Sequence, residues 1–317
     1  MVELPPLGMG TAAIGNLYRA ISDADAEATV HAALDAGIRY FDTAPHYGFG
    51  LAETRLGRAL DGCRDVRIST KVGRLLVPTE DRARERHAFV DALPYEPVFD
   101  YSRDGVLRSF EASLSRVRRD HVDLLFAHDI GRLTHGDRHD TMLRSFLDDG
   151  YPAMRRLRDD GAAGAIGIGV NEIAICLELL DRIDLDVILL AGRYTLLDRS
   201  AADELLPVCA AKGVKLVIGG PYNSGILAQP LDRAGERKFD YAPASADMLA
   251  RTRALDAECA RFGVSLPVAA LQFPVRHPAV VSVIPGMASP SEVTENVARF
   301  AAPVPDALWT ALESVPT

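Results

Sequence analysis

The chain has 317 residues, 48% of them hydrophobic, and a formal net charge of −9. That is enough apolar material for a sizeable core, while the acidic balance argues against a nucleic-acid or anionic-membrane surface, since both need a basic face. A small-molecule partner is the expectation, and oligomeric state is left open.

In chain order, MVELPPLGMG has no basic segment leading into a long apolar one, and later runs such as VILLA are too short to span a bilayer, so a cytoplasmic location is expected. Asp23 can N-cap ADAEATVHAALDAG, in which Ala26, Val30, Ala33 and Leu34 share a face and Gly37 can follow the last turn. IRYFD and VRIST then read as strands, and DGVLRSFEASLSRV as a helix with Val106, Phe110, Leu114 and Val117 on one stripe. Further strands are expected at VDLLFAH, AIGIGV, DVILLA, VKLVIGG and VVSVIP. Helices DELLPVCAAKG and ADMLARTRALDAECARFG end at glycines, and PDALWTALESV closes the chain. Cys63, Cys176, Cys209 and Cys259 are scattered without a CxxC pair or a histidine at ligand spacing, so neither a metal site nor a disulfide framework is expected.

The strand runs are continuous rather than alternating, which suits a parallel sheet covered on both faces. Some eight strand–helix units of roughly forty residues each point to an α/β protein with right-handed crossovers, a (β/α)8 TIM barrel spanning 1–317 as one domain. The alternative is an open doubly wound sheet, but no G-x-G-x-x-G turn follows any strand. One connection stands out. Residues 73–103 carry EDRARERH and LPYEPVFDYSRDG with little periodicity, as a lid or binding loop over the catalytic face would, or else a disordered insertion; the aromatics Phe89, Tyr95, Phe99 and Tyr101 weigh against disorder.

In a barrel the C-terminal ends of the strands share one pocket. Asp42 closes IRYFD, Tyr47 lies just beyond it, Lys71 follows VRIST and His128 closes VDLLFAH, so an acid, a phenol, an ammonium and an imidazole should converge. An unperturbed tyrosine has a pKa of about 10, which a cation within about 4–6 Å can lower by roughly 1 to 3 units. Lys71 is expected to act on Tyr47 in this way, Asp42 to pair with Lys71, and His128 to orient a substrate oxygen or relay its proton.

The pattern D-x-x-x-x-Y-G, a lysine after the next strand and a histidine ending the fourth resembles the aldo-keto reductase superfamily, from LGMGTAAIG to IPGMASPSEVTEN. GNLY, FDYSRDGVLRS, FAHDIG and AGRYTLLD resemble the branch of L-fucose (D-threo-aldose 1-), L-galactose and pyridoxal dehydrogenases. The resemblance implies that Asp42, Tyr47, Lys71 and His128 form a catalytic tetrad and that a nicotinamide dinucleotide lies across the barrel mouth. It places Gly10, Thr11 and Asp42 by the cofactor, Asn171 at the nicotinamide amide, Ser224 and Gly225 over the pyrophosphate, and Glu295 and Asn296 at the adenine. Val170, Ala191 and Gly219 depart from the family pattern, which has Ser or Thr, Gln and Tyr there.

Where relatives that use NADP carry Lys and Arg, this chain has Gly286 and Glu292. A phosphate needs cationic partners, so NAD is expected to be preferred over NADP. The same segment also reads simply as a helix start, with Ser291 as N-cap. The implied reaction oxidises an aldose such as L-fucose at its anomeric carbon to the lactone. The alternatives are pyridoxal 4-dehydrogenation, general aldehyde reduction, or a regulatory subunit that binds cofactor without turnover. Asn16 and Tyr18 on the first loop, with Asp129 and Arg193 at strand ends, are candidate substrate contacts; His46 either lines the mouth or faces water.

Overall fold

The computed structural model describes residues 3–229, 237–240 and 242–315, so the expected span of 1–317 includes residues outside the described set. Eight parallel strands follow one another in chain order: β1 (Met9–Gly10), β2 (Tyr40–Asp42), β3 (Arg67–Val72), β4 (Val122–His128), β5 (Ala163–Val170), β6 (Val187–Ala191), β7 (Lys215–Gly219) and β8 (Val280–Ile284). Parallel bridges Leu7 to Val283 and Gly10 to Gly286 join the first strand to the last and close the ring. The (β/α)8 barrel is thus the observed architecture, and the doubly wound alternative falls.

Residues at every second position of these strands fill the interior. Tyr40, Leu124, Phe126, Ala165, Val187, Leu189, Val217 and Ile284 form that inner cluster. Continuing the same alternation by one step reaches Asp42 on β2, His128 on β4, Ala191 on β6 and Gly219 on β7, the layer at the C-terminal mouth. Gly169 on β5 makes room there: a Cβ would lie 3.4 Å from Lys71 Cε and from Phe126 Cβ, so the lysine stem runs across the space a side chain would take. A larger cluster, including Val106, Phe110, Leu125, Ile166, Ile188 and Ile218, lies between barrel and helices.

Helix starts differ from the sequence expectation by a residue or two. Ser22, not Asp23, caps Asp23–Asp35, and Ser289, not Ser291, caps Pro290–Ala301. In each case the serine lies just outside the helix with extended backbone and accepts from the amide three residues on, as the N-cap position requires. Gly37 and Gly213 take positive φ after their helices as expected.

Residues 73–103 are neither an open loop nor a disordered insertion. Arg74–Pro78 pairs antiparallel with Tyr95–Phe99, and inside that hairpin Glu85–Arg86 pairs with Phe89–Val90. The tip joins the first loop through a bridge from Leu17 to Phe89 and through Tyr18 N–H to Ala88 O at 2.8 Å. Periodicity hid these strands because they are short and proline-interrupted. Long-range bonds organise them instead: the Arg86 guanidinium donates to the carbonyls of Tyr95 (2.8 Å) and Leu93 (2.6 Å). Among the described residues no helix is long and apolar enough to cross a membrane, and no group of three His, Cys, Asp or Glu is placed to hold a metal.

Candidate active site

Asp42, Tyr47, Lys71 and His128 come together at the mouth. Lys71, 1% exposed, donates to both Asp42 carboxylate oxygens at 2.9 and 2.7 Å and to the Thr43 carbonyl at 2.8 Å. All three ammonium protons therefore have acceptors. Asp42 also accepts from Ser69 at 2.7 Å, and Ser69 is in turn bonded to Tyr40 at 3.0 Å, so the carboxylate is satisfied from below. The Lys71 nitrogen lies 4.6 Å from the Tyr47 ring centre, and the His128 ring stands edge-on to that ring at 6.1 Å.

The electrostatics correct one expectation. Burial pushes the Tyr47 phenol well above its ordinary value, Asp42 and Asp129 push the same way, and only Arg74 pulls it down. Lys71, whose three protons go to Asp42 and Thr43, is not among the groups that lower it. Burial likewise raises the Asp42 carboxyl against the pull of Lys71. His128 is held well below the usual imidazole range by burial, then by Arg74 and Lys71. The site at rest holds a protonated phenol and a neutral imidazole.

The remaining candidates divide. His46 does not face open water: it lies edge-on to Phe89 at 5.4 Å and 6.0 Å from the His128 ring, lining the mouth. Asp129 follows His128 with φ 53°, which turns its carboxylate back to within 3.4 Å of His128 Nε2. Asn16 is buried in the scaffold, its side-chain oxygen accepting from Arg55 (2.8 Å) and the Ile21 amide (3.1 Å). Arg193 ties strand ends together through the Asn171 carbonyl (2.8 Å), Asp198 (3.2 Å) and Asp240 (2.9 Å). Tyr18 is exposed, bonded to Ser224 and lying under Lys238 at 4.5 Å, so it links the first loop to the one after β7.

Two residues reach the centre that the sequence did not mark as site residues. Arg74, 8% exposed, bonds the Asp129 carboxylate and reaches His46 Nδ1 at 3.3 Å; its signal was a second cation just past Lys71, across the turn at Gly73. Phe89 packs its ring 6.4 Å from that of Tyr47, and only the hairpin brings it there.

The positions expected to hold a dinucleotide form a rim around this centre. Thr11 and Thr43, at the ends of β1 and β2, and Nδ1 of His128 are buried polar atoms without partners. Gly219 closes β7 beside Ala191. At Gly286 a Cβ would meet only Ala13, at 3.9 Å, and at Gly225 (φ 96°) nothing within 4 Å, so the backbone is uncrowded at these two positions in the loops after β7 and β8. Unsatisfied polar atoms and an uncrowded rim fit a large polar ligand. Asn296 bonds Tyr222 at 2.5 Å and the Glu292 carbonyl at 2.8 Å, and Glu295 pairs with Arg299. Glu292 is not a bare carboxylate: it pairs with Arg19 at 3.0 Å and accepts from the Ala288 amide at 2.7 Å.

The profile described as Aldo/keto reductase family matches residues 6–316. The chain is similar to pyridoxal 4-dehydrogenase of Microbacterium luteolum, with 46% identity over 97% of this chain and 93% of that protein. D-threo-aldose 1-dehydrogenase of a Pseudomonas species is 40% identical over 98% and 94%. In structure it is similar to an aldo-keto reductase from Bacillus halodurans in its holo form, with a TM-score of 0.77 and 25% identity over 99% and 93% of the two chains.

Proposed function

The chain belongs to the aldo/keto reductase family, and on that premise we propose that this oxidoreductase converts a cyclic hemiacetal to a lactone with NAD in preference to NADP. When bound, the dinucleotide supplies the two-electron acceptor; Gly10, Thr11, Asn171, Ser224, Gly225, Glu295 and Asn296 are the residues that would hold it. The observation that carries the reading is Tyr47 standing beside His128 and over a charge-neutral Asp42–Lys71 pair. In this role Tyr47 exchanges the proton of the substrate hydroxyl. His128 holds the oxygen, and the pair keeps the floor of the site dry and fixed.

Free aldoses and pyridoxal share the chemistry, because each closes to a ring whose hemiacetal carbon bears a hydroxyl. An aldose such as L-fucose is the first substrate reading. Pyridoxal is the second, favoured by the 46% identical pyridoxal relative and by the aromatic wall of Phe89 and His46 beside Tyr47. Initial rates for L-fucose, D-arabinose, L-galactose and pyridoxal, each with NAD and NADP, separate them. Cofactor binding without turnover of any substrate would instead support a regulatory subunit. Tyr47→Phe should cost about 10²- to 10⁴-fold in kcat, the usual worth of a positioned acid–base group, with cofactor affinity nearly unchanged. Substantial residual activity would remove Tyr47 from its role.

A further inference from the structure

We propose that Arg74 is a positioning residue of the reacting centre, clamping the Asp129 carboxylate beside His128 and fixing the protons of both His46 and His128 on Nε2. The proposal takes Tyr47 and His128 as the reacting groups, as above.

The chain makes this arrangement through one turn. Gly73, directly after β3, has φ 97°, and a Cβ there would lie 2.3 Å from the Tyr101 ring. Only glycine lets the strand reverse so tightly against Tyr101, and the reversal sends Arg74 back over the mouth. There the guanidinium lies 4.3 Å over the Phe99 ring and bonds the Asp129 carboxylate. Its position is fixed by stacking on one face and by hydrogen bonding at the edge.

The proton positions follow from what each neighbour can do. A guanidinium has donors only. Because it faces His46 Nδ1 at 3.3 Å, that nitrogen must offer its lone pair, and the proton sits on Nε2. A carboxylate only accepts. Asp129 Oδ2 lies 3.4 Å from His128 Nε2, a charge contact without a hydrogen bond; the carboxylate favours the proton on that nitrogen and leaves it free to donate to substrate, while the buried, partnerless Nδ1 carries the lone pair. Both imidazoles are then neutral donors beside the place where a substrate oxygen meets Tyr47.

The charges facing Tyr47 and His128 are Asp42, Lys71, Asp129 and Arg74, with His46 between them and His87 beyond it at 5.6 Å from His46. They form two compensated pairs. Without Arg74, the Asp129 carboxylate stands unbalanced against the phenol and both rings. It would hold the Tyr47 proton more tightly and draw a second proton onto His128.

The ¹⁵N-histidine spectrum of the whole chain reads the tautomers without substrate or turnover, and the pH profile of the oxidation reads Tyr47. In the unaltered chain, both His46 and His128 should be neutral Nε2–H forms across neutral pH. In Arg74→Met, both rings should titrate at higher pH, and the alkaline limb of the rate profile should rise by about 1 pH unit or more. Adding Asp129→Asn to that variant should return both towards their starting positions, and Arg74→Lys, which keeps the charge but loses the fork, should fall between. Asp129→Leu alone, which leaves no acceptor beside Nε2, should release His128 from the Nε2–H form, a test that stands even where Arg74→Met folds poorly. Unchanged titration of both rings and an unmoved limb in Arg74→Met, or strictly additive effects in the double variant, would overturn the proposal. Should no substrate turn over, the assigned reaction fails while the tautomer spectra still decide the role of Arg74.

Discussion

Tyr47 rests as a phenol, and this sets the direction in which pH acts. In the proposed reaction the phenol must give up its proton before it accepts one from substrate, and burial raises its pKa above the ordinary value of about 10. The deprotonated fraction therefore grows as pH rises, so kcat/KM for oxidation should climb through the alkaline range without a plateau at neutral pH. Reduction of the matching carbonyl, which draws on the protonated form, should fall over the same range. Opposite slopes in the two directions are the check; a flat oxidation profile would contradict the resting state described here. Asp42, Tyr47, Lys71 and His128 were legible in the sequence because each sits at a fixed place relative to a strand end. The sign of the effect on Tyr47 was not. It depends first on the burial of the phenol and then on the carboxylates of Asp42 and Asp129 near it, three-dimensional facts that no spacing encodes.

At the scale of elements, the Arg74–Phe99 hairpin is the part the sequence concealed. Its tip turns through His87 and Ala88, both at positive φ (51° and 65°), the conformation a two-residue hairpin turn of this hand needs and one that non-glycine residues adopt at a cost of roughly 1–2 kcal/mol each. The surrounding contacts hold that strain in place and deliver Phe89, 3% exposed, against Tyr47, His46 and Phe49. Replacing Phe89 with Ala should destabilise the chain by about 3–5 kcal/mol if the space stays empty. It should also raise KM for substrate more than it changes cofactor affinity, because the ring walls the mouth beside Tyr47 and His46. Denaturant unfolding and initial rates on the same variant check both parts. A loss of cofactor affinity equal to the loss of substrate affinity would show that the hairpin does not form a substrate wall. Strands β2 to β8 were readable by contrast, since continuous apolar runs announce strands covered on both faces.

Across the whole molecule, the first loop and the last helices meet through Arg19 and Glu292, 273 residues apart in the chain. The pair is half exposed, so its own contribution to stability is small. On the proposed NAD preference, a 2′-phosphate at this rim would meet a carboxylate already paired with Arg19. Glu292→Lys should replace that competition with two free cations and raise NADP over NAD in kcat/KM by roughly 10- to 100-fold, about 1.4–2.8 kcal/mol. The ratio of the two cofactors' specificity constants is the measurement, and an unchanged ratio would place the selectivity elsewhere.

The sequence by itself determined the barrel, its strand order and the positions of Asp42, Tyr47, Lys71 and His128. These rest on local rules: apolar runs of strand length, glycines after helices, and polar residues at strand ends. The tertiary structure alone decided which groups are buried and which charges face them, and so why Tyr47 keeps its proton. It also decided that Asn16 and Arg193 are bound into the scaffold, and that Arg74 and Phe89 reach the centre. The physical reason is the same in each case: a pKa, a tautomer or a pocket wall depends on partners that are close in space and distant along the chain.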